Sequence, residues 1–259
     1  MSTRESSSFK TKKISDMNYC EFMAYLKVSN HLGGKKITRM ITELTKIDAG
    51  KKLVLDAGCG NGKTTLHIAK KYGNCQIVGI DKYAGYLKLA RSKSIDVKDR
   101  VDYIVSDICS LPFTDENFDL IISEDVFPFI EDREKALKEL SRVLKQNGRI
   151  AISMSFCLTQ PDETFLKALR KMYKLNVDPI VLPEFRKIIK KLELKETKFV
   201  KPKLNLINTL DFFLILKIFF LSIFNRDIRR RFLDHLYLWK KVLRNTDETI
   251  GFGIFILKK

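Results

Sequence analysis

The sequence predicts a three-layer α/β fold, a doubly wound and mostly parallel sheet of seven strands, on three observations. From residue 51 onward, short runs rich in Val, Ile and Leu alternate with amphipathic helical stretches, the pattern of crossover units. A glycine-rich turn joins the first such run to the first such helix. Hydrophobic residues make up 45% of the 259 positions and charged residues 31%, enough apolar mass for a packed core.

The elements follow in order. Residues 1–15 are rich in Ser, Thr and Lys and predict a disordered tail, leaving 16–259 as one domain. A helix from Asp16 to Val28 carries Tyr19, Phe22, Met23 and Leu26 on one side. After the turn Ser29–Gly34, a second helix from Lys36 to Lys46 places Ile37, Met40, Ile41 and Leu44 on one face. Together 16–48 read as a helical lid. Lys52–Asp56 is the first strand and Lys63–Tyr72 its helix; Gln76–Asp81, Val101–Asp107, Phe118–Ser123 and Arg149–Phe156 are strands two to five. Helices are expected at Ala84–Ser94 and at Glu131–Lys145, the latter ended by Asn147-Gly148. A helix at Pro183–Leu192, a sixth strand at Glu196–Leu204 and a seventh at Ile250–Leu257 follow, with 205–249 as a helical insertion before the last strand.

Composition narrows the function classes. The five cysteines are scattered, no CxxC pair occurs and there are three histidines, which speaks against a zinc site, any other metal centre or a disulfide scaffold. The N-terminus lacks a signal-peptide core, and no apolar run reaches ~18 residues, so a cytoplasmic protein without a transmembrane helix is expected. Lys and Arg number 48 against 31 Asp and Glu, a net charge of +17. That excess suits an anionic partner or a lysine-rich solvated surface, and charge alone does not choose between them.

Parallel sheets bind ligands beyond the carboxyl ends of their strands, so the loops after Asp56, Asp81, Asp107 and Ser123 carry the function. The turn Asp56-Ala57-Gly58-Cys59-Gly60-Asn61-Gly62-Lys63-Thr64 admits three frames. As a phosphate-binding loop it needs Gly at 57, where Ala stands, although a relaxed form matches Ala57–Thr64. As a dinucleotide fingerprint its third glycine falls one residue early. The third frame is DxGxGxG with an acid, Asp81, ending the second strand.

In that frame five segments lie in order: Asp56–Gly62, Gly79-Ile80-Asp81, Ser106–Phe113, Phe118–Glu124 and Leu140–Arg149. Together they resemble the motifs of class I S-adenosylmethionine-dependent methyltransferases over about residues 50–156, with 51–156 as the cofactor-binding core. The resemblance implies a Rossmann-like methyltransferase fold and S-adenosylmethionine as cofactor, with S-adenosylhomocysteine as product. It implies that Asp81 accepts hydrogen bonds from the ribose diol, while Asp107 and the Ile108 N–H meet the adenine. It implies that Ala57, Gly58, Gly60 and Gly62 bring the backbone to the amino-acid end and ribose, and that Asp56 orients this turn or reaches the cofactor's ammonium through water. Lys82, Ser123 and Glu124 complete the implied cofactor set. The segment His31-Leu32-Gly33-Gly34 resembles one that precedes the first motif in some small-molecule and lipid methyltransferases, except that Leu32 stands where Pro is expected.

Methyl transfer is in-line displacement, so positioning dominates, and a general base is required only if the nucleophile must lose a proton. Glu124, Asp125, His31 and Tyr25 are the candidates for that role. The acceptor is expected to be small, apolar or lipid-like. From Leu210 to Phe224 the only polar residues are Asp211, Lys217 and Ser222, and Arg226, Arg229, Arg230 and Arg231 follow. Such a helix is about 22 Å long, short for a bilayer. It suits a cap over the site, a dimer contact, or an anionic membrane surface met through 209–244. Base-gripping motifs are absent after strand four, where Ser123–Phe127 stands, so a nucleic-acid or protein substrate is the lesser alternative. A P-loop-type nucleotide-binding protein, or a protein that binds S-adenosylmethionine without catalysis, is the alternative of another class.

Overall fold

The structure, a computed structural model, describes residues 12–28, 32–203, 221–234 and 250–259. Its strands are β1 (Lys52–Ala57), β2 (Cys75–Asp81), β3 (Val101–Val105), β4 (Phe118–Glu124), β5 (Leu144–Cys157), β6 (Lys195–Val200) and β7 (Ile250–Lys258). They form one sheet in the order β3-β2-β1-β4-β5-β7-β6. β1 to β5 pair in parallel, and β7 is antiparallel to both its neighbours. Strand order reverses between β1 and β4, which opens a ligand crevice at their carboxyl ends.

The helices are α1 (Tyr19–Tyr25), α2 (Gly34–Thr45), α3 (Lys63–Lys71), α4 (Ala84–Lys93), α5 (Arg133–Val143), α6 (Glu163–Tyr173) and α7 (Leu182–Lys191). Two cores result. On one face Val54, Ile77, Leu120 and Ile122 pack against Ile37 and Ile41 of α2, Ile68 of α3 and Leu87 of α4. On the other, Leu55, Ile121, Ile150 and Ile152 pack against Leu137 and Leu140 of α5 and Phe185 of α7. Alternate residues of one strand thus serve opposite layers, as the pleat requires.

A third cluster seats the N-terminal helix. Met17, Phe22, Met23, Leu26 and Val28 bury against Tyr86 of α4 and Ile228, and the Tyr86 hydroxyl donates to the Val28 carbonyl at 2.6 Å. A capping box starts α1: Asn18 accepts from the Glu21 N–H, and Glu21 accepts from the Asn18 N–H. The helix stops before the expected Val28 because Lys27 turns left-handed (φ 54°) and the Val28 N–H returns to the Met23 carbonyl.

Three strand boundaries differ from expectation by more than one residue. β5 begins at Leu144, not Arg149. Leu144 already pairs with Phe118, and residues 145–148 bulge before pairing resumes at Leu120↔Arg149; Asn147 (φ 65°) turns that bulge instead of capping α5. β3 ends at Val105, because Asp107 and Ser110 close a turn of their own. β6 ends at Val200. The sequence reading also missed α6, which Asp162 caps through the Phe165 N–H and which buries Phe165, Leu166, Leu169 and Met172.

Most of the expected insertion 205–249 lies outside the described residues; within it, 221–224 and 226–234 are helical. Residues 1–11 of the predicted 1–15 tail lie outside them too, while Ile14 and Ser15 belong to a short 3-10 turn, Ile14–Asp16, instead of that tail. Among the described residues no helix is long and apolar enough to cross a membrane.

Candidate active site

The turn between β1 and α3 is held over the end of β2. The Gly58 and Cys59 N–H groups both donate to the Ile80 carbonyl at 2.8 Å. Gly58, Gly60 and Gly62 take φ of 84°, 54° and 77°, a region that side chains disfavour. Packing adds a second demand. A Cβ on Gly58 would strike the Val126 methyl groups, and one on Gly62 would lie 2.6 Å from the Tyr103 hydroxyl. The sequence reading had these glycines clear space for a ligand; the clashes shown are with the protein's own side chains.

Asp81, at the end of β2, fastens this turn. Its Oδ2 accepts from the Gly60 N–H and its Oδ1 from the Tyr83 N–H, both at 2.9 Å. Burial raises its pKa against the pull of those two donors. Each oxygen keeps acceptor capacity beyond the one backbone bond.

Beneath the turn lie two more carboxylates. Asp56 accepts from the Thr65 hydroxyl at 2.5 Å. Glu124, at the end of β4, accepts from the Thr64 hydroxyl at 2.9 Å and from the Thr38 hydroxyl at 3.0 Å. It therefore joins α2, which the sequence assigned to a lid but which packs on the sheet, to the first turn of α3. Burial pushes both acids up to about 7, although the hydroxyls pull the other way. Asn61, at 3% exposure, leaves its Oδ1 without a partner among the described residues. Three carboxylates and an orphaned amide oxygen around one turn make an acceptor-rich end suited to a ligand's ammonium and hydroxyl groups.

The other predicted residues scatter around this centre. Ala57 is fully buried at the end of β1. The exposed Lys82 lies over the Tyr83 ring, 5.3 Å from its centroid. Asp107 accepts from the Cys109 N–H at 2.8 Å, a local turn that presents the buried Ile108 beside it. Ser123 is buried, and its hydroxyl lacks a partner among the described residues. Asp125 turns left-handed (φ 57°), and its Oδ2 accepts from the Leu32 N–H at 3.4 Å. Tyr25 ends α1 at 45% exposure. His31 lies outside the described residues.

The sequence reading did not anticipate Thr38 and Thr65 as partners of Glu124 and Asp56. Their signal was three threonines, 38, 42 and 45, on the buried face of α2 and a Thr-Thr pair opening α3. It also missed the meeting of Tyr19, Phe129 and Tyr173, which no local pattern announces.

Residues 55–152 match the methyltransferase domain family. The chain is 32% identical to a demethylmenaquinone methyltransferase of Lactiplantibacillus plantarum, over 63% of this chain and 67% of that one. The chain belongs to the class I S-adenosylmethionine-dependent methyltransferases. It is also 33% identical to phosphoethanolamine N-methyltransferase 1 of Zea mays, over 54% of this chain but 28% of the maize protein. It spans less than half the length of several curated relatives that it matches. In fold it resembles a Haemonchus contortus phosphoethanolamine N-methyltransferase 2 solved with phosphomonomethylethanolamine and S-adenosylhomocysteine: TM-score 0.73, 22% identity, 92% of this chain and 56% of that one.

This methyltransferase membership decides among the three frames of the glycine turn. The dinucleotide frame has no use for Asp56, which here accepts from Thr65 beneath the turn.

Proposed function

We propose that the chain transfers a methyl group from S-adenosylmethionine to a small apolar or amphipathic acceptor. The observation that carries this reading is Asp81, a half-buried carboxylate at the end of β2 that anchors the glycine turn through Gly60. In this reading its remaining acceptor capacity takes the ribose diol. Asp107 and the Ile108 N–H take the adenine, and the acidic pocket of Asp56 and Glu124 lies toward the cofactor's amino-acid end. When bound, S-adenosylmethionine supplies an electrophilic methyl on a sulfonium. The protein's part is to bind, to orient and to exclude water. The names of the maize and Lactiplantibacillus relatives point to a phospho-amine and a quinone, both small molecules, and favour that acceptor class over nucleic acid.

Calorimetric titration tests the reading. S-adenosylmethionine and S-adenosylhomocysteine are expected to bind at micromolar concentration and Mg-ATP not to bind. Binding of Mg-ATP alone would restore the phosphate-loop frame at Ala57–Thr64.

A second reading concerns the membrane. Ile228 docks residues 226–234 onto the lid cluster, and Arg231 stacks over Phe22 with its guanidinium 4.6 Å from the ring centroid. Other side chains of these two stretches stay outside: Phe224 is 87% exposed and Leu233 57%, near in sequence to the exposed Arg226 and Arg230. Apolar side chains flanked by arginines suit the interface of an anionic bilayer, which makes this a peripheral membrane protein that meets its acceptor there. Phe224→Glu is expected to abolish sedimentation with phosphatidylserine vesicles; undiminished binding refutes the membrane reading.

A further inference from the structure

Arg142 belongs to the fifth motif segment, Leu140–Arg149, and stands on α5, on the face of the sheet opposite α3. Its Nε and Nη2 donate to the Glu139 carboxylate at 2.8 and 2.9 Å, a two-pronged contact. The same guanidinium reaches the chain that follows β3. Nη2 donates to the Leu111 carbonyl at 3.1 Å, and Nη1 donates to the Phe113 carbonyl and the Asp115 carboxylate, both at 2.8 Å. Glu139 accepts from the Leu111 N–H at 2.9 Å. Both main-chain polar groups of Leu111 thus end on one ion pair, and its side chain is buried in the core cluster of Leu137 and Leu140. Hydrogen bonding from Arg142 holds the Glu139 carboxyl below its ordinary value, so the pair stays charged.

The pair pins one end of a turn. Asp107 to Ser110 lie between β3 and Leu111 and close on themselves: the Cys109 N–H donates to Asp107 Oδ1 at 2.8 Å, and the Ser110 N–H to the Asp107 carbonyl at 3.0 Å. At the other end the Ser106 N–H donates to the Asp81 carbonyl at 3.2 Å. Asp107 and Ser110 are exposed, and of these four residues only Ile108 is buried. A turn on the surface takes its position from its anchors. β2 supplies one, the Ile108 side chain a second, and the Glu139–Arg142 pair a third.

We propose that Glu139 and Arg142 are positioning residues for the cofactor's base. By fixing Leu111 they fix where Asp107 and the Ile108 N–H meet the adenine, and so set the preference for adenine over other purines. This rests on the methyltransferase reading and on its assignment of Asp107 and Ile108 to the adenine. Both side chains act through the turn.

The chemistry of the base shows why a fixed turn matters. Adenine presents an amino donor to Asp107 and a ring-nitrogen acceptor to the Ile108 N–H. Hypoxanthine presents an oxygen and an N–H at the same two positions, so acceptor faces acceptor and donor faces donor. A rigid turn must keep both mismatches and rejects that base. A loose turn moves aside and lets water fill the gap, which spares the wrong base and weakens the right one. The fork of Arg142 suits the rigid case, because a planar guanidinium holds several acceptors in one fixed arrangement.

The test is calorimetric and uses the full chain. S-adenosylhomocysteine is titrated directly, and S-inosylhomocysteine, which carries hypoxanthine in place of adenine, in competition with it. The parent is expected to prefer the adenine compound by roughly a hundredfold. Arg142→Met and Glu139→Ala, both on the half-buried side of α5 away from its core residues Leu137 and Leu140, should each cut that preference by about threefold or more. The ratio is the decisive quantity, because a merely structural loss lowers both affinities by the same factor and leaves it unchanged. Two variants are used so that one misfolded protein does not end the test. A folded variant of either kind that keeps the parental ratio overturns the positioning role and leaves the methyltransferase reading intact. A parent that binds both compounds alike overturns the assignment of Asp107 and Ile108 to the adenine, and the positioning role with it. Failure of S-adenosylhomocysteine to bind the parent overturns the cofactor reading itself.

Discussion

Asp81→Asn separates the two duties of that carboxylate. In the parent, Oδ1 accepts from Tyr83, two residues on, and Oδ2 accepts from Gly60 across the turn. Asparagine can keep the first bond, because an amide oxygen makes the same local turn. Its amide nitrogen then faces the Gly60 N–H, donor against donor, and offers the ribose a neutral donor in place of a charged acceptor. Loss of charge-assisted bonds is worth about 1.5–3 kcal/mol, roughly one to two orders of magnitude in Kd. Stability should move less, because two effects oppose: the Gly60 bond is lost, but so is a carboxylate whose ionised form burial disfavours. A net change of ~1 kcal/mol shifts Tm by about 2–4 °C in a domain of this size. Calorimetry with S-adenosylhomocysteine and thermal unfolding without ligand measure the two separately. A variant that melts like the parent and binds with parental affinity refutes the ribose assignment. One that loses most of its stability shows instead that Asp81 is chiefly scaffold.

Two further substitutions probe the same centre. Gly58→Ala places a side chain at φ 84° and drives its Cβ into Val126; a loss of about 2 kcal/mol or more is expected in urea denaturation. Adding Val126→Ala should recover the steric part and leave about 1–2 kcal/mol of backbone strain, so a double variant no better than the single one contradicts the packing argument. Glu124 and Asp56 set a pH dependence. Their folded pKa values, near 7, lie above those of the unfolded chain, so the folded state holds these protons more tightly. The stability they contribute is full below pH ~4 and is lost as the pH rises through about 7. Glu124→Gln removes one of the two, so its stability relative to the parent should climb by on the order of 2–3 kcal/mol between pH 4.5 and 7.5; a flat difference would show that Glu124 is not desolvated.

The parts of this molecule that were legible in its sequence are those dictated by the backbone. The strand-and-helix alternation gave β1 to β5 because strands buried on both faces must be apolar throughout. The glycine turn was legible because only glycine takes three left-handed positions within five residues at little cost. Asn147-Gly148 misled for the same reason: a positive φ serves a helix end or a strand bulge equally well, and the pairing of Leu144 with Phe118 chose the bulge. What stayed hidden depends on contacts between distant segments. Tyr19, Phe129 and Tyr173 are spread across the chain, and each alone reads as an ordinary core aromatic. Glu124 and Asp125 show the gap most clearly. In the sequence they are two adjacent acids, both candidate bases, with Glu124 alone in the implied cofactor set. In the fold, Glu124 accepts from the hydroxyls of Thr38 and Thr64 under the glycine turn, while the left-handed step at Asp125 sets its carboxylate by the Leu32 N–H. A base must reach the acceptor's proton. Glu124 is committed to two hydroxyls beneath the turn, whereas Asp125, one peptide bond on, is tied instead to the Leu32 N–H that precedes α2, so the two adjacent acids are held by different segments and are not equivalent candidates for a base.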